Sequence, residues 1–178
     1  MVGKVEQVHI LFVCTGNICR SPSAERLAIA FAEKRGIKDF RASSAGTLAV
    51  ISHPMHREAA AVLESLGGES GNFAARQLSA KIANDADLIL TMTREHRDRV
   101  LELAPRKLRQ TFTLREASQI IAQFGPADIG QLASLRTHLR ANADLDIADP
   151  IGQGPDTFAA VGSQIASLLP PVLEAATA

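Results

Sequence analysis

The chain has 178 residues, of which 46% are hydrophobic, and this predicts one domain over residues 1–178 with one sizeable core. Its 19 Lys and Arg residues balance 19 Asp and Glu residues. We therefore expect neither nucleic acid nor a membrane among its partners, since nucleic acids and anionic membranes attract proteins that carry a net positive charge. The two cysteines, Cys14 and Cys19, exclude a disulfide scaffold and indicate thiol chemistry. The aromatic residues are seven Phe, with no Trp and no Tyr.

The first predicted element is a buried strand over residues 8–13, in which five of the six residues are apolar. This run is far too short to span a bilayer and no signal-peptide cleavage site follows it, so we expect a cytoplasmic protein. After a loop, Ser21 and Pro22 predict the N-cap and the first position of a helix. Apolar residues at helical spacing continue to Phe31, and Gly36 ends this helix.

The remainder of the chain alternates between strands and helices. Strands are predicted over residues 40–45, 87–92 and 110–114. Helices are predicted over residues 55–66, 93–104, 114–124, 132–139 and 155–169. Pro170 and Pro171 are expected to end the last helix. This alternation predicts an α/β fold: a single doubly wound domain whose four-stranded parallel sheet has the order 2-1-3-4, with helices on both faces.

The most informative segment is the loop after the first strand, Cys14-Thr15-Gly16-Asn17-Ile18-Cys19-Arg20-Ser21. It joins a buried strand to a helix N-terminus, at the sheet edge where α/β proteins bind ligands. Successive backbone N–H groups of such a loop can converge on an anion, and the helix dipole reinforces them. The residues predicted to bind a phosphate in this way are Thr15, Gly16, Asn17, Ile18, Cys19 and Arg20.

Cys14 and Arg20 add reactive chemistry to this loop. Five residues separate them, so both side chains can face one tetrahedral oxyanion. The guanidinium would bind two oxygens, and the thiolate would lie in line with the leaving group. This predicts phosphoryl transfer through a phosphocysteine, followed by hydrolysis, with no metal and no cofactor. The alternative is an ordinary buried thiol followed by a solvated arginine.

Residues 13–22 resemble the phosphate loop of the low-molecular-weight protein-tyrosine-phosphatase family. Residues 43–47 and 75–78 resemble further motifs of that family, and the Asp-Pro at residues 149–150 resembles its general-acid motif. The resemblance covers most of the chain, but the stretch from about 115 to 145 matches no motif.

The resemblance implies several roles. Asp149 would protonate the leaving group and then, once ionised, activate the attacking water. Asp144, Asp146 and Asp156 lie close to it in sequence and are alternatives for this acid.

The resemblance also implies that Asn17 and Ser44 brace the loop. Ser21 would hydrogen-bond Cys14, in competition with the N-cap role that its position predicts.

Two interpretations of Cys19 are open. It could trap a sulfenic acid on Cys14 as a disulfide, or it could be a small packed residue. His53 and His56 lack a third ligand nearby, so a solvated helix start is favoured over a metal site.

The substrate signals of the sequence conflict. Ile151 and Gly152 follow the Asp-Pro where tyrosine-specific members carry aromatic residues, and this pattern resembles the phosphoarginine phosphatases of the family. Ile18, by contrast, resembles the tyrosine phosphatases. Because Tyr and Trp are absent, any stacking on a substrate ring is expected to come from Phe.

Two further positions depart from the family pattern. Phe73 stands where many members have His, which puts the support of the loop in doubt, and Thr93 stands where many have Asp.

The function we expect is hydrolysis of phosphotyrosine in a phosphorylated protein, with a phosphoarginine phosphatase as the main alternative. An arsenate reductase is less favoured because its relatives relay oxidation through a third cysteine, which this chain lacks. A phosphoprotein-binding module is also less favoured, because it would be expected to lose Cys14 or Asp149.

Overall fold

The computed structural model describes residues 7–141 and 143–178. Its four strands are β1 (Val8–Cys14), β2 (Phe40–Gly46), β3 (Leu88–Thr91) and β4 (Thr111–Thr113). Its α-helices are α1 (Arg20–Arg35), α2 (Arg57–Ser65), α3 (Ala80–Asn84), α4 (Arg94–Leu103), α5 (Leu114–Phe124), α6 (Ile129–Leu135) and α7 (Pro155–Thr177). Two 3₁₀ segments cover Pro105–Gln110 and Arg136–His138.

The four strands form one parallel sheet in the order β2-β1-β3-β4, which confirms the predicted fold. β1 lies between β2 and β3, and its last residue, Cys14, pairs with Gly46 at the end of β2. Because parallel strands all end at the same edge, the loops after β1, β2 and β3 meet there.

Alternate residues of β1 face two separate cores. Ile10 and Phe12 pack into the larger core, together with side chains of α1, α2, α5, α6 and α7. Leu11 and Val13 pack into the smaller one, with side chains of α3 and α4. Helices therefore cover both faces of the sheet, and a strand buried on both sides reads as the continuous apolar run seen in the sequence.

The predicted end of the last helix is wrong, because α7 continues through Pro170 and Pro171 to Thr177. Each internal proline costs about 3 kcal/mol by removing a backbone hydrogen bond and crowding the preceding turn. On either side of the pair, Leu169, Val172 and Leu173 are buried in the larger core. Burying each of them contributes about 1.5–3 kcal/mol, so their combined contribution is of the same size as the cost of the two prolines.

Among the described residues, α7 is also the one helix long and apolar enough to cross a bilayer by length and composition. Its buried face packs against α1, α2 and α5, and this accounts for its apolar character.

Two other parts of the helix prediction need correction. The helix predicted over 132–139 starts earlier, where Asp128 caps α6, and it ends in the Arg136–His138 3₁₀ segment. The five-residue helix α3 was not predicted at all. It is capped by the Ser79 side chain, and only Ala83 of its residues is buried, so it has no apolar periodicity to read.

Candidate active site

The Cys14–Arg20 loop connects the carboxyl end of β1 directly to the first turn of α1. The N-cap of α1 is Cys19, and no side chain in the described part of the chain caps that end. The first backbone N–H groups of α1 are thus left available to an anion. The prediction that Ser21 is the N-cap and Pro22 the first helical residue is wrong, since both lie inside the first turn.

Asn17 holds the loop from within. Its backbone has a φ of 56°, in the left-handed region that costs most residues about 1–2 kcal/mol. Its fully buried side chain makes three hydrogen bonds that offset this cost. Nδ2 donates to Ser21 Oγ and to Ser44 Oγ, both at 2.9 Å, and Oδ1 accepts from the Arg76 backbone N–H at 2.9 Å.

The hydroxyl of Ser21 lies 2.8 Å from Cys14 Sγ. Since Ser21 Oγ already accepts a hydrogen bond from Asn17, its own proton is free to be donated to the sulfur. When Cys14 is a thiolate its sulfur can only accept, and donation then runs from the Arg76 amide through Asn17 and Ser21 to Cys14. Such a chain stabilises negative charge on the sulfur, because each donation polarises the next.

Arg20 is held in place from a distant part of the chain. Its side chain is buried, with Nη1 donating to the Ile147 carbonyl at 2.8 Å and Nη2 3.4 Å from Asp149 Oδ2. Asp149 itself is half-exposed, and its Oδ1 accepts from the Ile151 backbone N–H at 3.1 Å. The Asp-Pro segment thus places a carboxylate beside the guanidinium, as the resemblance implies.

These groups line one cavity of about 220 Å³. Its lining residues are Cys14, Thr15, Gly16, Ile18, Cys19, Arg20, Leu48, Val50, Asp149 and Ile151. Among the described residues of this lining, only Arg20 and Asp149 carry charged side chains, so the fixed positive charge lies on the Arg20 guanidinium.

The mouth of the cavity is aliphatic. Seven large apolar side chains are exposed in the described part of the chain, and three of them line this cavity: Leu48, Val50 and Ile151. Among the described residues no Phe lines the cavity, so its lining offers no Phe ring for stacking on a substrate.

The segment after β2 is fixed to the loop by backbone hydrogen bonds. The Thr47, Leu48 and Val50 N–H groups donate to the carbonyls of Cys14, Thr15 and Gly16 at 2.9–3.0 Å. Glycine is required at the end of β2, because a Cβ on Gly46 would lie 2.3 Å from the Thr15 carbonyl oxygen.

His96, in the first turn of α4, is a site residue that sequence reasoning missed. Its Nε2 lies 2.8 Å from Thr15 Oγ1, and its Nδ1 accepts from the Thr93 backbone N–H at 3.2 Å. Burial, together with the nearby positive charge of Arg20, lowers the pKa of His96 to about 4. The spacing Thr93-x-x-His96 matches a capping box with His in place of Glu or Gln. This spacing is the sequence feature that could have indicated a structural role for His96.

Glu25 was also missed. Ser44 Oγ donates to Glu25 Oε1 at 3.3 Å, and burial raises the pKa of the Glu25 carboxyl. The bracing hydrogen bonds of Asn17 join it to Ser21, Ser44 and the Arg76 amide, and none of them involves Phe73. Its ring instead packs under the Arg26 guanidinium at 5.6 Å.

Two other sequence predictions concern cysteine and metal chemistry. Cys19 is a buried free thiol, and desolvation raises its pKa to about 12. His56 is the N-cap of α2 and stacks on Phe158 with ring centroids 4.8 Å apart. Across residues 7–141 and 143–178, no group of three metal-ligating side chains forms.

The family model for the low molecular weight phosphotyrosine protein phosphatases matches residues 9–119. The chain belongs to this family. It is 41% identical over 96 residues to the low molecular weight protein-tyrosine-phosphatase Etp of Escherichia coli K12, a match that covers 54% of this chain and only 62% of Etp. It is 32% identical over 153 residues to the low molecular weight protein-tyrosine-phosphatase Wzb of the same strain, covering 86% of this chain and 84% of Wzb.

Solved structures give the same result for the fold. The tyrosine phosphatase amsI of Erwinia amylovora matches with a TM-score of 0.73 and 26% identity, over 100% of this chain and 98% of that one. A Cys-to-Ser mutant of the YwlE arginine phosphatase with a phosphorylated active-site serine matches with a TM-score of 0.75 and 26% identity, over 94% of each chain.

Proposed function

We propose that this protein hydrolyses phosphotyrosine in proteins through a phosphocysteine intermediate, with no metal ion. The observation that carries the proposal is that Cys14, Arg20 and Asp149 line one cavity, although Asp149 comes from the far end of the chain. The uncapped N-terminus of α1 supplies the N–H groups that a phosphate requires. The phosphorylated active-site serine of the YwlE mutant, which replaces a cysteine, supports a covalent route.

In the first step Cys14 Sγ attacks phosphorus, the S–P bond forms and the P–O bond to the substrate breaks. Asp149 donates its proton to the departing oxygen, and Arg20 binds two oxygens of the transferred group. In the second step the Asp149 carboxylate takes a proton from water, whose oxygen attacks phosphorus as the S–P bond breaks. Ser21, 2.8 Å from the sulfur, stabilises the departing thiolate.

Asp149 is a better candidate for the acid than its acidic neighbours. Asp144 is paired with Arg115 at 2.8 Å and Asp146 with Arg94 at 3.2 Å, and neither lines the cavity. Asp149 lines it and is half-exposed, so it can exchange protons with solvent.

Two substitutions test this mechanism. Cys14→Ser is expected to abolish turnover of an aryl phosphate while inorganic phosphate still binds. Asp149→Asn is expected to slow peptide substrates, which have poor leaving groups, at least tenfold more than p-nitrophenyl phosphate. Asp144→Asn is the matched control and should resemble the unchanged protein. Substantial turnover by Cys14→Ser, or an equal loss across leaving groups for Asp149→Asn, would contradict the assigned roles.

A phosphoarginine phosphatase is the second candidate. The aliphatic Ile151 after the Asp-Pro and the structural likeness to YwlE favour it, whereas Ile18 and the names of the curated relatives favour phosphotyrosine. Comparing kcat/KM for phosphotyrosine and phosphoarginine peptides decides between them. A phosphoprotein-binding module would bind phosphate and turn over neither, and an arsenate reductase would reduce arsenate in the presence of a thiol.

For Cys19 we propose a redox role that depends on the same loop. Peroxide would oxidise Cys14 to a sulfenic acid, and the Cys19 thiol would displace water to form a disulfide. Because burial raises the pKa of Cys19 to about 12, this closure is expected to be slow. Equal recovery of peroxide-treated Cys19→Ser and unchanged protein upon dithiol treatment would rule out a protective role.

A further inference from the structure

The hydrogen bond between His96 and Thr15 has a fixed direction. The Thr93 backbone N–H can only donate, so His96 Nδ1 must accept from it and carries no proton. Since burial lowers the pKa of His96 to about 4, the imidazole is neutral at pH 7 and its proton resides on Nε2. Nε2–H therefore donates to Thr15 Oγ1 across 2.8 Å.

This direction frees the proton of the Thr15 hydroxyl. Thr15 Oγ1 accepts from His96, so its own O–H must point to another acceptor. Among the residues that the structure describes, this hydroxyl has no second partner. Thr15 lines the cavity that contains Cys14 and Arg20, which is where a substrate oxygen would lie.

We propose that the Thr15 hydroxyl donates a hydrogen bond to an oxygen of the bound phosphate ester, and that His96 is the positioning residue that sets this direction. The inference deepens the proposed function and rests on it, since it places a substrate in the same loop. The hydroxyl is a donor additional to the backbone N–H groups. A hydroxyl that already accepts a hydrogen bond is a stronger donor, and its bond to a phosphate oxygen is charge-assisted.

The first test compares substitutions of Thr15. Thr15→Val keeps the shape but removes the proton, and it is expected to lower kcat/KM for p-nitrophenyl phosphate about tenfold, the loss typical of a hydrogen bond to a charged group. Thr15→Ser keeps the hydroxyl and is expected to retain more of the activity than Thr15→Val. Equal activity of Thr15→Val and Thr15→Ser would overturn the proposal.

The second test reverses the hydrogen bond without removing the cap. A Gln at position 96 can accept from the Thr93 N–H and still donate to Thr15, whereas a Glu there can only accept. His96→Glu would therefore draw the Thr15 proton away from the cavity. It also adds a negative charge that repels phosphate, so the pair His96→Gln and His96→Glu is measured again in a Thr15→Val background, where only the charge effect remains.

We expect the ratio of kcat/KM for His96→Gln to kcat/KM for His96→Glu to be about tenfold larger with Thr15 present than in the Thr15→Val background. The same ratio in both backgrounds would overturn the proposal, because a merely structural His96 predicts no such coupling. Thr15→Ala takes the place of Thr15→Val if the valine variant does not fold. If the proposed function itself is wrong, the unchanged protein will show no Cys14-dependent turnover. That result distinguishes failure of the proposed function from failure of this inference.

Discussion

Asn17 combines a left-handed backbone conformation, which costs free energy, with three side-chain hydrogen bonds that hold the loop. Replacing it with Ala removes three hydrogen bonds, leaves the Arg76 amide without its acceptor and keeps the strained left-handed backbone. Asn17→Gly removes the same hydrogen bonds but relieves the strain, because glycine adopts positive φ freely. We expect both variants to lose most activity and Asn17→Ala to be less stable than Asn17→Gly by about 1 kcal/mol. Urea unfolding of the two measures this difference, and equal stability would show that the backbone stores no strain.

Residues close together in sequence were the predictable part of the site. Cys14 and Arg20 share one loop, and their spacing between a predicted strand and a predicted helix start indicated that both face one anion. Asp149 was assigned through a resemblance, because nothing local links it to Arg20. His96 could not be assigned in this way, since its role depends on β3 lying beside β1 and on a hydrogen bond across 81 residues.

At the scale of elements, the end of β2 and the Cys14–Arg20 loop approach each other so closely that only glycine fits between them. A methyl group at Gly46 would contact the Thr15 carbonyl at 2.3 Å and Ala49 Cα at 3.1 Å. We expect Gly46→Ala to displace the loop, lowering kcat/KM at least tenfold and destabilising the fold by about 1–3 kcal/mol. Gly71→Ala is the matched control, because nothing lies within 4 Å of its added Cβ. Activity of Gly46→Ala equal to that of the control would show that the loop tolerates the shift.

Strands β1 and β3 were predictable as elements because each is a short apolar run bounded by polar or turn residues. The end of α7 was not, because the local signal of Pro170 and Pro171 was opposed by burial in a core built from distant helices. The same reason explains α3, whose existence depends on a cap and on neighbouring packing rather than on an apolar stripe.

For the whole molecule, the buried neutral His96 links stability to pH. Its pKa is about 4 in the fold, against an ordinary value near 6.5 in the unfolded chain, because desolvation and Arg20 disfavour the charged form more than Asp149 and Asp146 favour it. Between these two values the unfolded chain binds more protons, so stability is lost as the pH falls from 6.5 towards 4. The loss attributable to His96 is roughly 3 kcal/mol by pH 4.

Urea unfolding from pH 7.5 to pH 4 measures this loss. His96→Gln keeps the reciprocal cap with Thr93 but cannot titrate. The difference in the free energy of unfolding between this variant and the unchanged protein should therefore change by about 3 kcal/mol over that range. His53→Gln, at an exposed histidine, is the matched control for the substitution itself. Burial also lowers the pKa of His9, so part of the slope will persist in His96→Gln, but the difference between the two proteins isolates His96. Parallel curves for His96→Gln and the unchanged protein would mean that His96 is not held neutral by the fold.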